Sequence, residues 1–170
     1  MPFTVAEPDV EELDGGLEPA ELVVENARRK ARAGRAAAGE DGAWVLGVDT
    51  DVFLGSEPLG KPADEAEARA RLEALSGRTH TVLSGVCLLG PEGGAERSGV
   101  ERSLVTFTDL RPELLELYLR SGEWRGRAGA YAIQGLGSLL VDRVDGDFSN
   151  VVGLPIRLLL RLAPELAGKP

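Results

Sequence analysis

Gly47–Pro62, GVDTDVFLGSEPLGKP, is the stretch whose reading decides the fold. The apolar run in front of it, Trp44-Val45-Leu46, reads as a buried strand that delivers Asp49 and Thr50 at its end. A turn at Gly55-Ser56-Glu57-Pro58 follows, and Gly60-Lys61-Pro62 returns a lysine beside a helix start. A carboxylate and an ammonium thus stand at two ends of one short excursion. That pairing suits a phosphate chain carrying a bound cation.

Working outward, Pro62 and Asp64 start a helix through ADEAEARARLEAL, with Ala68, Leu72 and Leu75 as its buried stripe and Gly77 in its C-cap region. Upstream, a helix is predicted over Pro19–Ala38. Pro19 suits its first turn, and Glu18 and Glu21 complement its dipole. Val23, Ala27, Lys30, Ala31 and Ala37 fall on one face of it at helical spacing. Pro2 to Val10 reads as a short extended piece before the carboxylates Asp9, Glu11 and Glu12. Downstream, Thr79–Leu89 and Gly99–Thr108 form a predicted antiparallel hairpin, followed by a short helix from Pro112 that Gly122 stops. Gly126–Gly137 has the composition of a loop that approaches a ligand closely. Ser138–Val144 reads as a strand, Gly146–Gly153 as a turn, and Pro155–Ala167 as a closing helix that buries Leu158, Leu159, Leu162 and Leu166. Interleaved strands and helices, with crossovers and a hairpin, predict an α/β fold with a mixed sheet.

The 170 residues fit one domain, 1–170, able to bury a core without staples. The single cysteine, Cys87, excludes an internal disulfide and fits a reducing cytoplasm. In the run VLSGVCLL it reads as a small buried hydrophobe. The acidic N-terminus lacks the apolar core of a signal peptide, and no run approaches the ~20 residues of a membrane span. A net charge of −9 argues against duplex nucleic acid as a partner. It leaves a small anionic substrate open, because local charge governs a pocket.

Several residues carry chemistry in more than one reading. Asp49 is either a metal or general-base group or a cap, and Asp51, two residues on, is a second ligand or a solvated edge residue. Lys30 either snorkels from the apolar stripe or is aimed into a site. Lys61 is an exposed turn lysine or a phosphate contact. His80, the only histidine, excludes multi-histidine metal sites and reads as structural. Gln134 braces its loop or reads a base edge with its donor and acceptor. Neither a Walker motif nor GxGxxG is present.

Four blocks in order, ENARRKARA (25–33), VDTDVFLGSEPLGKP (48–62), LEALSGRTHTVLSGV (72–86) and GRAGAYAIQGLGSLLVDRVDGDFSNVVGLPI (126–156), resemble the Maf family of nucleotide pyrophosphatases. The resemblance runs from about Phe3 to Leu160. It implies a two-lobed Maf/ITPase-like α/β fold around a long mixed β-sheet, with the nucleotide in the cleft between lobes. It also implies hydrolysis of a nucleoside triphosphate to the monophosphate and pyrophosphate with Mg²⁺ or Mn²⁺, and a homodimer. By matching motifs, Asp49 is the proton acceptor for water, Glu12 assists at the metal, and Lys30 and Lys61 hold phosphate oxygens. Thr50 and Gln134, with Tyr131-Ala132-Ile133, resemble the subgroup acting on dTTP and UTP, and Arg78 of the SGRTH block is a further substrate contact.

One family motif, SxSPRRxxLL, whose serine and arginines grip the triphosphate, has no counterpart in this sequence, which starts at the stretch matching the family's LPF. A start codon placed too late is the expectation. The alternative is a catalytically impaired, nucleotide-binding or regulatory protein linked to cell division.

Overall fold

The computed structural model describes residues 3–7, 9–38, 42–91 and 94–168. Five strands form one sheet in the order β2-β1-β3-β4-β5, with β1 Val45–Leu54, β2 Glu57–Pro58, β3 Thr79–Leu89, β4 Glu96–Phe107 and β5 Val141–Asp145. Every pairing among the described residues is antiparallel, so the expected mixed sheet is corrected to an antiparallel one packed against helices. The interleaved pattern of strands and helices predicts crossovers. Instead the β1–β2 excursion and helix α2, Glu65–Leu75, bring β3 back beside β1 in the opposite direction, with Asp49 opposite Gly85 and Thr50 opposite Ser84.

Helix α1 occupies Pro19–Ala38, the range its start signals predict. It lies on one face of the sheet, and its buried side is built from small residues, Ala27, Ala31 and Gly34, beside Leu22, Val23 and Asn26. Two glycines on the sheet complete the contact. A β-carbon at Gly47 would run into the Ala27 carbonyl oxygen, and one at Gly85 into that of Val23. Helix and strands therefore touch backbone to backbone. Leu22 and Val23 pack there with Phe53 and Leu83, and Ala27 and Ala31 with Cys87. Cys87 is fully buried, and burial pushes its thiol up to about 11, as suits a small hydrophobe.

The opposite face carries the larger core. Val52, Val82, Val105 and Phe107 of the sheet pack with Ala68, Leu72 and Leu75 of α2 and with Leu115, Tyr118 and Leu119 of α3, Pro112–Ser121. Asp64 caps α2 by accepting from the Glu67 amide.

Elsewhere the boundaries differ from expectation. β1 runs on to Leu54, so Asp49 and Thr50 lie mid-strand rather than at its end. Trp44-Val45-Leu46 is not a buried run: Leu46 is 40 % exposed. β5 begins only at Val141, because Gly135–Leu140 is a 3-10 helix whose Leu136 and Gly137 amides donate to the Glu123 carboxylate. The predicted turn at Gly146–Gly153 contains a helix, α4 Phe148–Val152, started by Asp147 accepting from the Ser149 amide. The closing helix, α5, is Ile156–Leu162. Pro164 lacks an amide to continue it, and a 3-10 segment Pro164–Ala167 follows. Residues 3–7, 9 and 10 form no strand, and Pro2, Pro8 and Gly39–Asp41 lie outside the described residues. Among those described, no helix is long and apolar enough to cross a membrane.

If the backbone contact sets how α1 sits, Gly85→Ala must push the helix off the sheet. Its cost should be roughly 3–5 kcal/mol, in the range of severe core overpacking. Urea unfolding measures it, and an unchanged midpoint would show that α1 is free to move.

Candidate functional site

Alternation along β1 sends successive side chains to opposite faces. Asp49 faces α1, and Thr50 faces the larger core. The first arrangement forms under α1. Lys30 places Nζ 2.6 Å from Asp49 Oδ1 and 3.0 Å from Glu12 Oε1. The second carboxylate oxygen, Oδ2, accepts from Asn26 Nδ2 at 3.3 Å. Asn26 also grips the chain beside Glu12, its Oδ1 accepting from the Leu13 amide at 2.8 Å and its Nδ2 donating to the Leu13 carbonyl at 3.0 Å. Arg29 adds a bond to the Glu11 carbonyl at 3.1 Å. Helix α1 thereby ties the N-terminal segment and the strand acid into one cluster.

Burial alone would lower the Lys30 ammonium. Its bonds to Asp49 and Glu12 outweigh that and hold its pKa above the ordinary lysine value, so it stays charged. The Lys30 ammonium does not snorkel to solvent; it is turned onto Asp49 and Glu12. Asp51 is half-buried rather than solvated. Burial raises its pKa, the Val52 amide bond at 2.8 Å opposes, and the charges of Asp49 and Glu12 push it further up. Among the described residues no group of three or more histidine, cysteine or carboxylate side chains is gathered as a metal site. What the cluster offers is a pair of carboxylates, Asp49 and Glu12, converging on one cationic point now filled by Lys30.

The second arrangement is a cavity of about 220 Å³ on the other face, lined in part by Thr50, Lys61, Arg127, Tyr131, Gln134 and Gly153. No acidic side chain lines it, although the whole chain carries −9. Neither Lys61 nor Arg127 has a side-chain hydrogen bond or ion pair among the described residues, so both charges are available to an anion. Thr50 Oγ1 lies 2.7 Å from Ser84 Oγ and 3.3 Å from the Gly153 carbonyl. Ser84 is fully enclosed, and Asn150 behind it donates to the Val82 carbonyl at 3.1 Å and to Ser103 Oγ at 3.0 Å. The Tyr131 hydroxyl is held 2.8 Å from His80 Nε2, with Phe107 edge-on to both rings. Burial pushes His80 down to about 4, so it is a neutral support for the wall.

The sequence-predicted residues thus divide. Glu12, Lys30 and Asp49 meet under α1, while Thr50, Lys61 and Gln134 share the cavity. Arg78 is in neither group: its guanidinium donates to the Ala74 carbonyl at 3.3 Å, at the end of α2. Sequence reasoning missed Asn26, Ser84 and Arg127. Asn26 sits on the apolar stripe of α1, and Ser84 interrupts an apolar strand. Each is a polar residue in a buried pattern, which was the available signal.

The family model for Maf, described as Maf-like protein, matches residues 1–166. Among curated proteins, the chain is 47 % identical over 162 residues to a dTTP/UTP pyrophosphatase of Deinococcus radiodurans, covering 95 % of this chain and 81 % of that protein. It is 48 % identical over 169 residues to one of Myxococcus xanthus, covering 99 % and 83 %. It is 40 % identical over 162 residues to one of Pyrococcus abyssi, covering 95 % and 84 %.

Two measurements test this description. Asn26→Ala leaves the Leu13 amide and carbonyl unpaired and should cost about 2–3 kcal/mol. Hydrogen exchange at the Leu13 amide should rise with it, and an unchanged rate would mean the clamp is not formed. His80 binds its proton less readily folded than unfolded, so its contribution is intact above pH 6.5 and is lost as pH falls toward 4. The loss by pH 4 is about 3 kcal/mol. Urea midpoints against pH should show that slope, and His80→Phe should flatten it.

Proposed function

This chain belongs to the Maf family, and we propose that within it the chain is a nucleoside triphosphate pyrophosphatase that hydrolyses dTTP and UTP to the monophosphate and pyrophosphate. The observation that carries the reading is the division along β1. An acid braced by an ammonium and an amide stands at Asp49, and the next residue, Thr50, lines an acid-free cavity containing Lys61 and Gln134. The cavity takes the base and Lys61 a phosphate oxygen; Asp49 serves the reacting end. This cavity is the cleft of the two-lobed arrangement that the family resemblance implies.

Attack on the α-phosphorus needs a water stripped of a proton and a leaving pyrophosphate whose charge is neutralised. Asp49 is the proton acceptor. Its Oδ1 faces Lys30 and its Oδ2 faces Asn26, so the carboxylate is fixed in orientation before substrate arrives. Lys30 stays charged and supplies a cation to a phosphate oxygen. Oxygen donors on a converging pair suit a hard divalent cation, which commonly takes only one or two carboxylates and fills its shell with water and phosphate. Asp49 and Glu12 are therefore the residues that would hold Mg²⁺ or Mn²⁺. The chemistry such an ion supplies when bound is charge neutralisation on phosphate oxygens and a lowered water pKa. Arg78 remains a proposed peripheral substrate contact. A homodimer is proposed on the exposed apolar side chains Phe148, Val152, Leu154 and Ile156 around α4 and α5, and a reducing cytoplasm on the free thiol of Cys87.

Pyrophosphate release by this chain over a panel of nucleoside triphosphates with Mg²⁺ or Mn²⁺ tests the reading. Turnover should favour dTTP and UTP, and Asp49→Asn should reduce it by roughly 10²–10⁴-fold with an unchanged circular dichroism spectrum. Nucleotide binding without turnover in the folded parent chain would favour the non-catalytic alternative instead.

A further inference from the structure

We propose that Ser84, which lies behind the cavity wall, is a specificity-positioning residue: it gives the Thr50 proton a close acceptor within the protein and so biases the Thr50 hydroxyl toward accepting from the ligand, which favours the protonated imide edge of uracil or thymine over cytosine. The inference rests on the pyrimidine nucleotide reading above and adds the residue that decides which pyrimidine is taken.

Thr50 and Ser84 are direct cross-strand partners on β1 and β3, and their hydroxyl oxygens are 2.7 Å apart. At that distance one hydroxyl donates to the other. If Thr50 donates to Ser84, the Ser84 proton goes to the Asn150 carbonyl, 3.4 Å away. If Ser84 donates to Thr50, the Thr50 proton goes to the Gly153 carbonyl at 3.3 Å. The first arrangement gives the Thr50 proton to an acceptor at 2.7 Å and leaves a Thr50 lone pair for the cavity, whereas the second holds that proton only by the longer 3.3 Å bond to Gly153. In the first, the Gly153 carbonyl is a further open acceptor. A uracil or thymine imide brings an N–H to such acceptors, whereas cytosine presents a lone pair at the same ring nitrogen and meets repulsion.

Ser84 cannot do this by touching the ligand, because it is fully buried. Its neighbours hold it in place: Asn150 is also fully buried, and its amide bonds span the Val82 carbonyl and Ser103. The Ser103 hydroxyl accepts from the Asp147 amide at 3.1 Å and donates to the Asp147 carbonyl at 2.9 Å, fixing the start of α4 and hence the turn that carries Gly153. Removing the Ser84 hydroxyl takes away the shorter of the two acceptors and leaves the Thr50 proton only the Gly153 carbonyl at 3.3 Å, so it turns more readily into the cavity, where it can donate to cytosine. The substitution should therefore change which base is accepted more than how fast the phosphates are cleaved.

UTP and CTP differ only at the edge in question, so the ratio of their kcat/KM values is the readout, and it does not depend on how much of a variant sample is folded. Ser84→Ala should lower the UTP-to-CTP ratio by about tenfold, the scale set by one buried hydrogen bond. Ser84→Thr, which keeps the hydroxyl, should restore it, and Thr50→Val should lose the preference as well. A ratio that stays at the parent value in Ser84→Ala, or that falls equally in Ser84→Thr, overturns the proposal. Calorimetric titration with UMP and CMP makes the same comparison without turnover. A parent chain that fails to hydrolyse UTP thus counts against the proposed activity, while the UMP-to-CMP binding ratio of the Ser84 variants still decides this proposal.

Discussion

The structure depends on a backbone-to-backbone contact. Helix α1 can rest on β1 and β3 only because Gly47 and Gly85 present no β-carbon beneath the Ala27 and Val23 carbonyls. Every polar contact under the helix follows from that height. Gly85 lies opposite Asp49 in register, so the helix is closest where the acid stands, and Asn26 and Lys30, one turn apart, come down on the two carboxylate oxygens. Charges placed there lose water and must be repaid by partners. Lys30 answers with two carboxylates, and Asp49 with an ammonium and an amide. A few tenths of an ångström added between helix and sheet would carry the 3.3 Å Asn26–Asp49 contact out of hydrogen-bonding range.

Alternation along β1 then separates two electrostatic environments that adjacent residues could not otherwise occupy. On the α1 face, carboxylates surround a lysine. On the other, Lys61 and Arg127 stand at a cavity without an acid. The chain as a whole is strongly negative, but the cavity beside Thr50 is lined by two cations and no acid. Net charge therefore says little about this pocket.

Much of this was legible in sequence because it follows from local rules. Pro19 and the alanine spacing placed α1, and Asp64 placed the start of α2. The Thr79–Leu89 strand was readable as an apolar run of β-branched residues and leucines. What failed was non-local. The end of β1 was set too early, because Asp49-Thr50-Asp51 looks like a strand terminus, whereas burial by α1 on one side and the core on the other carries the strand on to Leu54. The sheet direction was misjudged because a helix between strands is as compatible with a return as with a crossover. Lys30 stands between two readings in sequence because its partner Asp49 is nineteen residues away. Asn26 and Ser84 were passed over because a polar residue inside a buried pattern looks like noise unless its partners, thirteen residues away in one case and across the sheet in the other, are known.

That last failure has a physical reason which bears on function. A residue that touches ligand leaves a type signature: a lysine for phosphate, a carboxamide for a base edge. A residue that acts by directing another group's proton leaves none, because serine in a strand is chemically unremarked. Only geometry distinguishes it, here an oxygen–oxygen separation of 2.7 Å between the half-buried Thr50 and the fully buried Ser84. Enclosure is also what gives such a residue its influence. In water, the Thr50 hydroxyl would find another acceptor at no cost and point either way. Ser84, shut behind the strand, offers the Thr50 hydroxyl an acceptor that no water competes for, and the direction of the Thr50 proton is biased by the fold.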